Sequence, residues 1–68
     1  MKVTVNGEER AVTAGCTVLR FLEELEIDPA RQGIAVALNG AVVPRSSWRE
    51  TEVPAGSEVE IVRALQGG

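Results

Sequence analysis

The amino-terminal part of the chain alternates apolar and polar residues. Val3 and Val5 alternate with polar neighbours, and after the Asn6-Gly7 dipeptide a second β-prone segment occupies residues 10–13. Asn and Gly tolerate the positive φ angles of a type I′ turn, whose twist matches the strands that it joins. The pattern therefore predicts a β-hairpin over the first 13 residues.

A helical period replaces the alternation in residues 17–26. The apolar residues fall at i, i+3, i+4 and i+7, namely Val18, Phe21, Leu22 and Leu25. We expect Thr17 to be the N-cap and Asp28-Pro29 to end the helix, because the residue before a proline avoids the α region. A helix of about ten residues is marginal alone in water, so we expect it to pack against a sheet.

A second hairpin and a final strand follow the helix. Residues 34–38 alternate large and small apolar side chains and lead into a second Asn-Gly turn at Asn39-Gly40. Residues 41–43 return as a short strand that ends at Pro44, which donates no ladder hydrogen bond and marks a sheet edge. After an irregular segment, residues 58–65 alternate again and predict the last strand.

These elements specify one α+β domain, in which a helix packs across one face of a mixed four- to five-stranded sheet. We expect the last strand to run parallel to the first in the sheet centre, which is the β-grasp arrangement, although periodicity alone does not select it over other strand orders. Trp48 is expected to cover one end of the core. The predicted core consists of Val3, Val5, Val12, Val18, Phe21, Leu22, Leu25, Val36, Leu38, Val59 and Ile61.

Composition and charge exclude several classes of function. The 68 residues carry 7 basic and 10 acidic side chains, a net charge of −3, and the basic residues are scattered, so we expect no nucleic-acid partner. The longest apolar run, residues 34–38, is far too short to cross a membrane, so we expect a cytoplasmic protein without a membrane partner. With Cys16 as the single cysteine and no histidine, most enzyme mechanisms and metal sites are disfavoured. A binding or carrier protein is the class that remains.

The last two residues, Gly67-Gly68, carry the most distinctive chemistry. Two glycines after a strand are typical of a frayed end. At the end of the sequence they also present an ionised α-carboxylate on a backbone without Cβ atoms, which suits entry into a narrow enzyme channel. Such a carboxylate can attack the α-phosphate of ATP to give an acyl-adenylate. We therefore divide the chain into a β-grasp domain, residues 1–64, and a flexible tail, residues 65–68.

Four further features are candidates for a function. On the sheet face away from the helix, a modest apolar docking patch is expected from Ala35, Ala37, Val62 and Ala64. Leu65 and Gln66 precede the diglycine, and we expect Leu65 to contact a partner. Cys16 lies before the helix cap, where a lowered thiol pKa would suit a redox role. An incidental small residue is the interpretation that we favour there, and Arg45 is a candidate surface residue.

Taken together, the motifs resemble those of the ThiS family of sulfur carrier proteins. They include the elements Leu-Asn-Gly, Val-Pro-Arg-Ser-x-Trp and Glu-Ile-Val, in this order, before a closing Gly-Gly. The resemblance covers essentially the whole chain, through residues 1–8, 18–25, 37–40, 43–46 with Trp48, 58–62 and 67–68. It implies a ubiquitin-like β-grasp fold and a role in making the thiazole half of thiamin.

In the scheme that this resemblance implies, the chain is a substrate and not an enzyme. A ThiF-type adenylyltransferase uses ATP to activate Gly68, sulfur from a cysteine desulfurase persulfide converts the adenylate to a thiocarboxylate, and a ThiG-type thiazole synthase accepts the sulfur. No cofactor is expected to be bound, and a free monomer is expected. The alternatives are the small sulfur-carrier subunit of molybdopterin synthase, a ubiquitin-like protein modifier, and an interaction domain without ATP-dependent chemistry.

Overall fold

The structure, a computed structural model, describes residues 1–63 as one α-helix, α1, one short 3₁₀-helix, Arg45–Ser47, and five strands. Helix α1 spans Val18–Glu24. The strands are β1 Lys2–Val5, β2 Glu8–Ala11, β3 Ile34–Leu38, β4 Ala41–Val43 and β5 Glu58–Arg63. In the described part of the chain, no helix has the length and apolar character needed to cross a bilayer.

The last described strand, β5, lies in the centre of the sheet, whose order is β2-β1-β5-β3-β4. It runs parallel to β1, with Val5 opposite Val59, and antiparallel to β3, with Val36 opposite Ile61. The two hairpins form the two sides of the sheet. The predicted α+β fold with a central parallel last strand is therefore confirmed, although β5 is described only to Arg63.

The core lies between α1 and one face of the sheet. All predicted core residues are buried except Leu25 and Leu38, which are half-buried and contact the core. Trp48 is 2% exposed, as expected for a cover over the core, and its indole Nε1–H donates to the Val43 carbonyl at 2.9 Å. The sequence prediction omitted four other buried apolar residues: Cys16, Ile27, Ile34 and Val53.

The predicted first hairpin is present, but its second strand begins earlier than expected. Asn6 and Gly7 adopt φ angles of 49° and 84°, as a type I′ turn requires. A two-residue turn returns the chain to pairing at once, so β2 begins at Glu8, opposite Val5, and not at residue 10. Val12 lies just after β2, and its N–H donates to the carbonyl of Met1, just before β1, at 2.8 Å.

Helix α1 ends earlier than predicted, at Glu24, because a Schellman motif closes it before Asp28-Pro29. The Glu26 N–H donates to the Glu23 carbonyl and the Ile27 N–H donates to the Leu22 carbonyl, at 3.0 and 2.9 Å. Burial of both Leu22 and Ile27 supplies the apolar contact of this motif. Its cost is a left-handed backbone at Glu26, with φ 62°.

We expect the substitution Glu26→Gly to stabilise the fold by about 1 kcal/mol, since glycine adopts the left-handed region without the Cβ clash. Glu23→Gly is the matched control. It places the same change inside α1, where glycine should destabilise by about 1 kcal/mol. Urea unfolding of both variants tests the expectation, and two changes of the same sign would contradict this account of the helix end.

Candidate functional site

Several predicted site residues lie outside the described part of the chain. They are the four residues 65–68, which form the carrier segment, and one member of the docking patch: Leu65, Gln66, Gly67, Gly68 and Ala64. The structure does describe the point from which this segment starts, the end of β5. There Val62 lies opposite Ala35 and Arg63 lies opposite Ile34, so β3 holds the last strand up to Arg63.

The other predicted patch residues lie on the sheet face away from α1. Inward-facing Val36 and Ile61 are buried, and strand alternation turns their neighbours Ala35, Ala37 and Val62 outward. Ala35 lies directly opposite Val62 in the β3–β5 ladder. With 60% of its surface exposed, Val62 is available for contact with another protein.

The sequence prediction missed one member of this surface, Val42. It lies opposite Ala37 on the edge strand β4 and is 73% exposed. Alternation along β4 was too short to show which residue faces outward, but pairing across the second Asn-Gly turn carries that information. The outer patch is therefore Ala35, Ala37, Val42 and Val62.

Acidic residues border the outer patch. Glu60 lies opposite Ala37 on β5, and Glu58 has the same outward orientation two residues earlier. Both side chains are exposed, and no ion pair joins either of them to another residue within 1–63. This face therefore combines an apolar surface with negative charge, which favours a partner that is apolar and basic.

Cys16 has the properties of a core residue. It is 6% exposed, and its carbonyl accepts a hydrogen bond from the Val53 N–H at 2.9 Å. Burial raises the pKa of the thiol, and the nearby Glu24 carboxylate raises it further. The lowered thiol pKa considered for this position is thus wrong, because desolvation by burial is the largest effect on the thiol and raises its pKa.

Arg45 has a structural role near Trp48. Its guanidinium lies 4.5 Å from the centre of the Trp48 ring, at cation–π distance. The same group donates to the Pro29 carbonyl and, at 2.7 Å, to the Arg31 carbonyl. Arg45 therefore fastens the loop that follows α1 to the segment that covers the core. Within residues 1–63, no three acidic or cysteine side chains lie close enough together to hold a metal ion.

Comparison with known proteins shows that this sequence is similar to those of sulfur carriers. The model of the ThiS family matches residues 3–68. Sulfur carrier protein ThiS of Escherichia coli is 32% identical over the whole of both chains. A thiazole synthase of Paramagnetospirillum magneticum is 41% identical over all 68 residues, and the chain spans 20% of the length of that protein.

Solved structures agree with the sequence comparisons. The crystal structure of the thiamine biosynthesis protein ThiS from Geobacter metallireducens superimposes with a TM-score of 0.83, at 33% identity and complete coverage of both chains. A solution structure of a thiamine biosynthesis protein from the same organism gives a TM-score of 0.79, at 32% identity, and covers all of this chain and 88% of the other. The predicted β-grasp fold is confirmed.

The burial of Cys16 predicts a slow thiol. Alkylation of the folded chain by iodoacetamide near neutral pH should be at least about 100-fold slower than alkylation of the chain unfolded in urea, because the folded thiol is shielded and its raised pKa lowers the thiolate fraction. Intact-mass analysis over time measures both rates. Equal rates would show that Cys16 is accessible and would reopen a redox role.

Proposed function

The chain belongs to the ThiS family of sulfur carriers in thiamin biosynthesis, and we propose that Gly68 is the residue that carries the sulfur. The observation that supports this proposal is the extent of the match. The family model reaches residue 68, and the alignment with the E. coli carrier spans the whole of both chains, so both include Gly67 and Gly68.

The first chemical step is activation of the Gly68 carboxylate by ATP. An α-carboxyl group has a reference pKa of about 3.3–3.7, so it is an anion at neutral pH. One carboxylate oxygen attacks the α-phosphorus of ATP, and the bond to pyrophosphate breaks, which leaves an acyl-adenylate. A ThiF-type adenylyltransferase binds the ATP and catalyses this step. The carrier supplies the nucleophile on a backbone narrow enough to enter the enzyme.

The second step replaces AMP with sulfur. The terminal sulfur of a protein persulfide, loaded by a cysteine desulfurase, attacks the acyl carbon, and the bond to AMP breaks. The resulting acyl disulfide is then cleaved by a second thiol, which takes the other sulfur into a disulfide and leaves the thiocarboxylate on Gly68. Both thiols belong to partner proteins, because Cys16 is buried in the carrier.

The acceptor of the sulfur is a ThiG-type thiazole synthase. The P. magneticum relative supports this assignment, since a thiazole synthase there contains a segment similar to this whole chain. The carrier itself performs no catalysis in this scheme, and its folded domain provides recognition.

The outer patch is the surface that we assign to recognition. Gly68 is six residues beyond Val62, so an extended segment reaches about 20 Å from the patch. An enzyme that binds the patch can therefore receive Gly68 in an active site at that distance. The exposed Glu58 and Glu60 favour a basic rim on the same enzyme.

Deletion of Gly68 should abolish activation. The carboxylate would then sit on Gly67, one residue short of the active site, so ATP–pyrophosphate exchange with the activating enzyme should fall by at least about 100-fold. The free energy of unfolding should not change, because the buried core lies between Val3 and Ile61. A chain extended by one alanine is a second variant, which keeps Gly68 but removes its free carboxylate. Persistence of exchange in both variants would refute the proposal.

The substitution Val62→Asp should weaken binding to the activating enzyme about tenfold or more, because it buries a charge in an apolar contact. Ala55→Asp is the matched control, since it adds the same charge at an exposed turn away from the patch. Titration calorimetry of both variants measures the effect. Equal affinities for Val62→Asp and Ala55→Asp would exclude the outer patch from this interface.

A further inference from the structure

The side chain of Asn6 is bound to the backbone of β5, close to the start of the carrier segment. Its Nδ2 donates to the Ile61 carbonyl at 3.1 Å, and its Oδ1 accepts from the Ile61 N–H at 2.8 Å. The Asn6 backbone N–H also donates to the Val59 carbonyl at 2.9 Å. One residue thus makes three hydrogen bonds to a strand that lies 55 positions away in sequence.

These hydrogen bonds replace a missing piece of the β1–β5 ladder. β1 pairs with β5 only as far as Val5 opposite Val59, because the chain then turns away at Asn6-Gly7. Ile61 directs its N–H and C=O toward that gap, and its side chain is buried. Backbone groups left unpaired there would be costly. The amide of Asn6 has one donor group and one acceptor, so it pairs with Ile61 as a peptide group of β1 would.

The local backbone limits which residue can do this. Asn6 has φ 49°, in the left-handed region that asparagine and glycine tolerate best. Glycine has no side chain to offer, and an ionised aspartate has no donor for the Ile61 carbonyl. Asparagine therefore meets both requirements: it adopts the left-handed backbone of the turn, and its side chain supplies the donor and the acceptor that Ile61 needs.

We infer that Asn6 is a positioning residue for sulfur transfer: it holds β5 at Ile61, from which the chain continues to Gly68. The inference rests on the proposed function. Without the Asn6 amide, β5 from Ile61 onward is held on one side only, by β3. Each residue released from the sheet adds about 3.3–3.6 Å to the chain between the fixed domain and Gly68. A longer connection spreads Gly68 over a larger volume and lowers its effective concentration at an enzyme active site.

The chain contains a matched control in its second Asn-Gly turn. Asn39 has φ 48°, and its Oδ1 accepts from the Glu58 N–H at 2.9 Å while its own N–H donates to the Glu58 carbonyl at 2.7 Å. It is the same residue type in the same kind of turn, bound to the same strand. It holds the beginning of β5, however, and so lies at the far end from the carrier segment.

The test compares Asn6→Gly with Asn39→Gly, since glycine keeps the left-handed backbone and removes only the side-chain amide. Thiocarboxylate formation with the activating enzyme is followed by intact mass over a range of carrier concentrations. Amide hydrogen exchange is measured at residues 61–63. We expect Asn6→Gly to raise the KM for the carrier roughly threefold to tenfold and to accelerate exchange at residues 61–63. Asn39→Gly should leave the KM unchanged, and any faster exchange that its lower stability causes should be spread over the whole sheet and not concentrated at residues 61–63.

Asn6→Asp is a second variant in case Asn6→Gly does not fold. It keeps the acceptor for the Ile61 N–H but loses the donor, and we expect it to follow Asn6→Gly in both measurements. Equal KM values for the Asn6 and Asn39 variants would overturn the positioning role, even if hydrogen exchange differed. If the unsubstituted chain took up no sulfur, the proposed function would fail instead, and exchange at residues 61–63 would still decide whether Asn6 holds the end of β5.

Discussion

The position of the last strand is the constraint on which the rest of this structure depends. β5 lies between β1 and β3, in the middle of the sheet, and the residues assigned to sulfur transfer follow it directly. β5 is paired with β1 as far as Val59, with the side chain of Asn6 at Ile61, and with β3 as far as Arg63, while Val59 and Ile61 enter the core. The fold thus places a paired strand before the residues that are proposed to carry sulfur.

Local signals in the sequence were sufficient for most of the fold. Both Asn-Gly turns, the apolar face of α1 and the alternation in β3 and β5 each act within a few residues, and the structure contains all of them. The sequence predictions were wrong where contacts between distant segments determine the local structure. The helix ends at a Schellman motif that depends on the burial of Ile27, and Val53 is buried because its segment pairs with Cys16, which no periodicity reveals.

Some residues of the candidate site could likewise be predicted from local sequence signals, and others could not. The proposed carrier role of Gly68 rests on resemblance to a family and on the chemistry of a terminal carboxylate. Ala35, Ala37 and Val62 followed from strand alternation, whereas Val42 required knowledge of which residues pair across a turn. The role of Asn6 depends on contacts with Val59 and Ile61, which are far from it in sequence, so only the folded chain reveals it.

The most direct test of the central claim is the intact mass of this chain after incubation with ATP, a ThiF-type adenylyltransferase and a cysteine desulfurase supplied with cysteine and a thiol reductant. The account predicts a mass increase equal to the replacement of one oxygen by sulfur, located on Gly68 by fragmentation. An unchanged mass, or a shift of the chain into larger covalent conjugates, would contradict it. An unchanged mass would show that Gly68 takes up no sulfur, and covalent conjugates would identify a protein modifier.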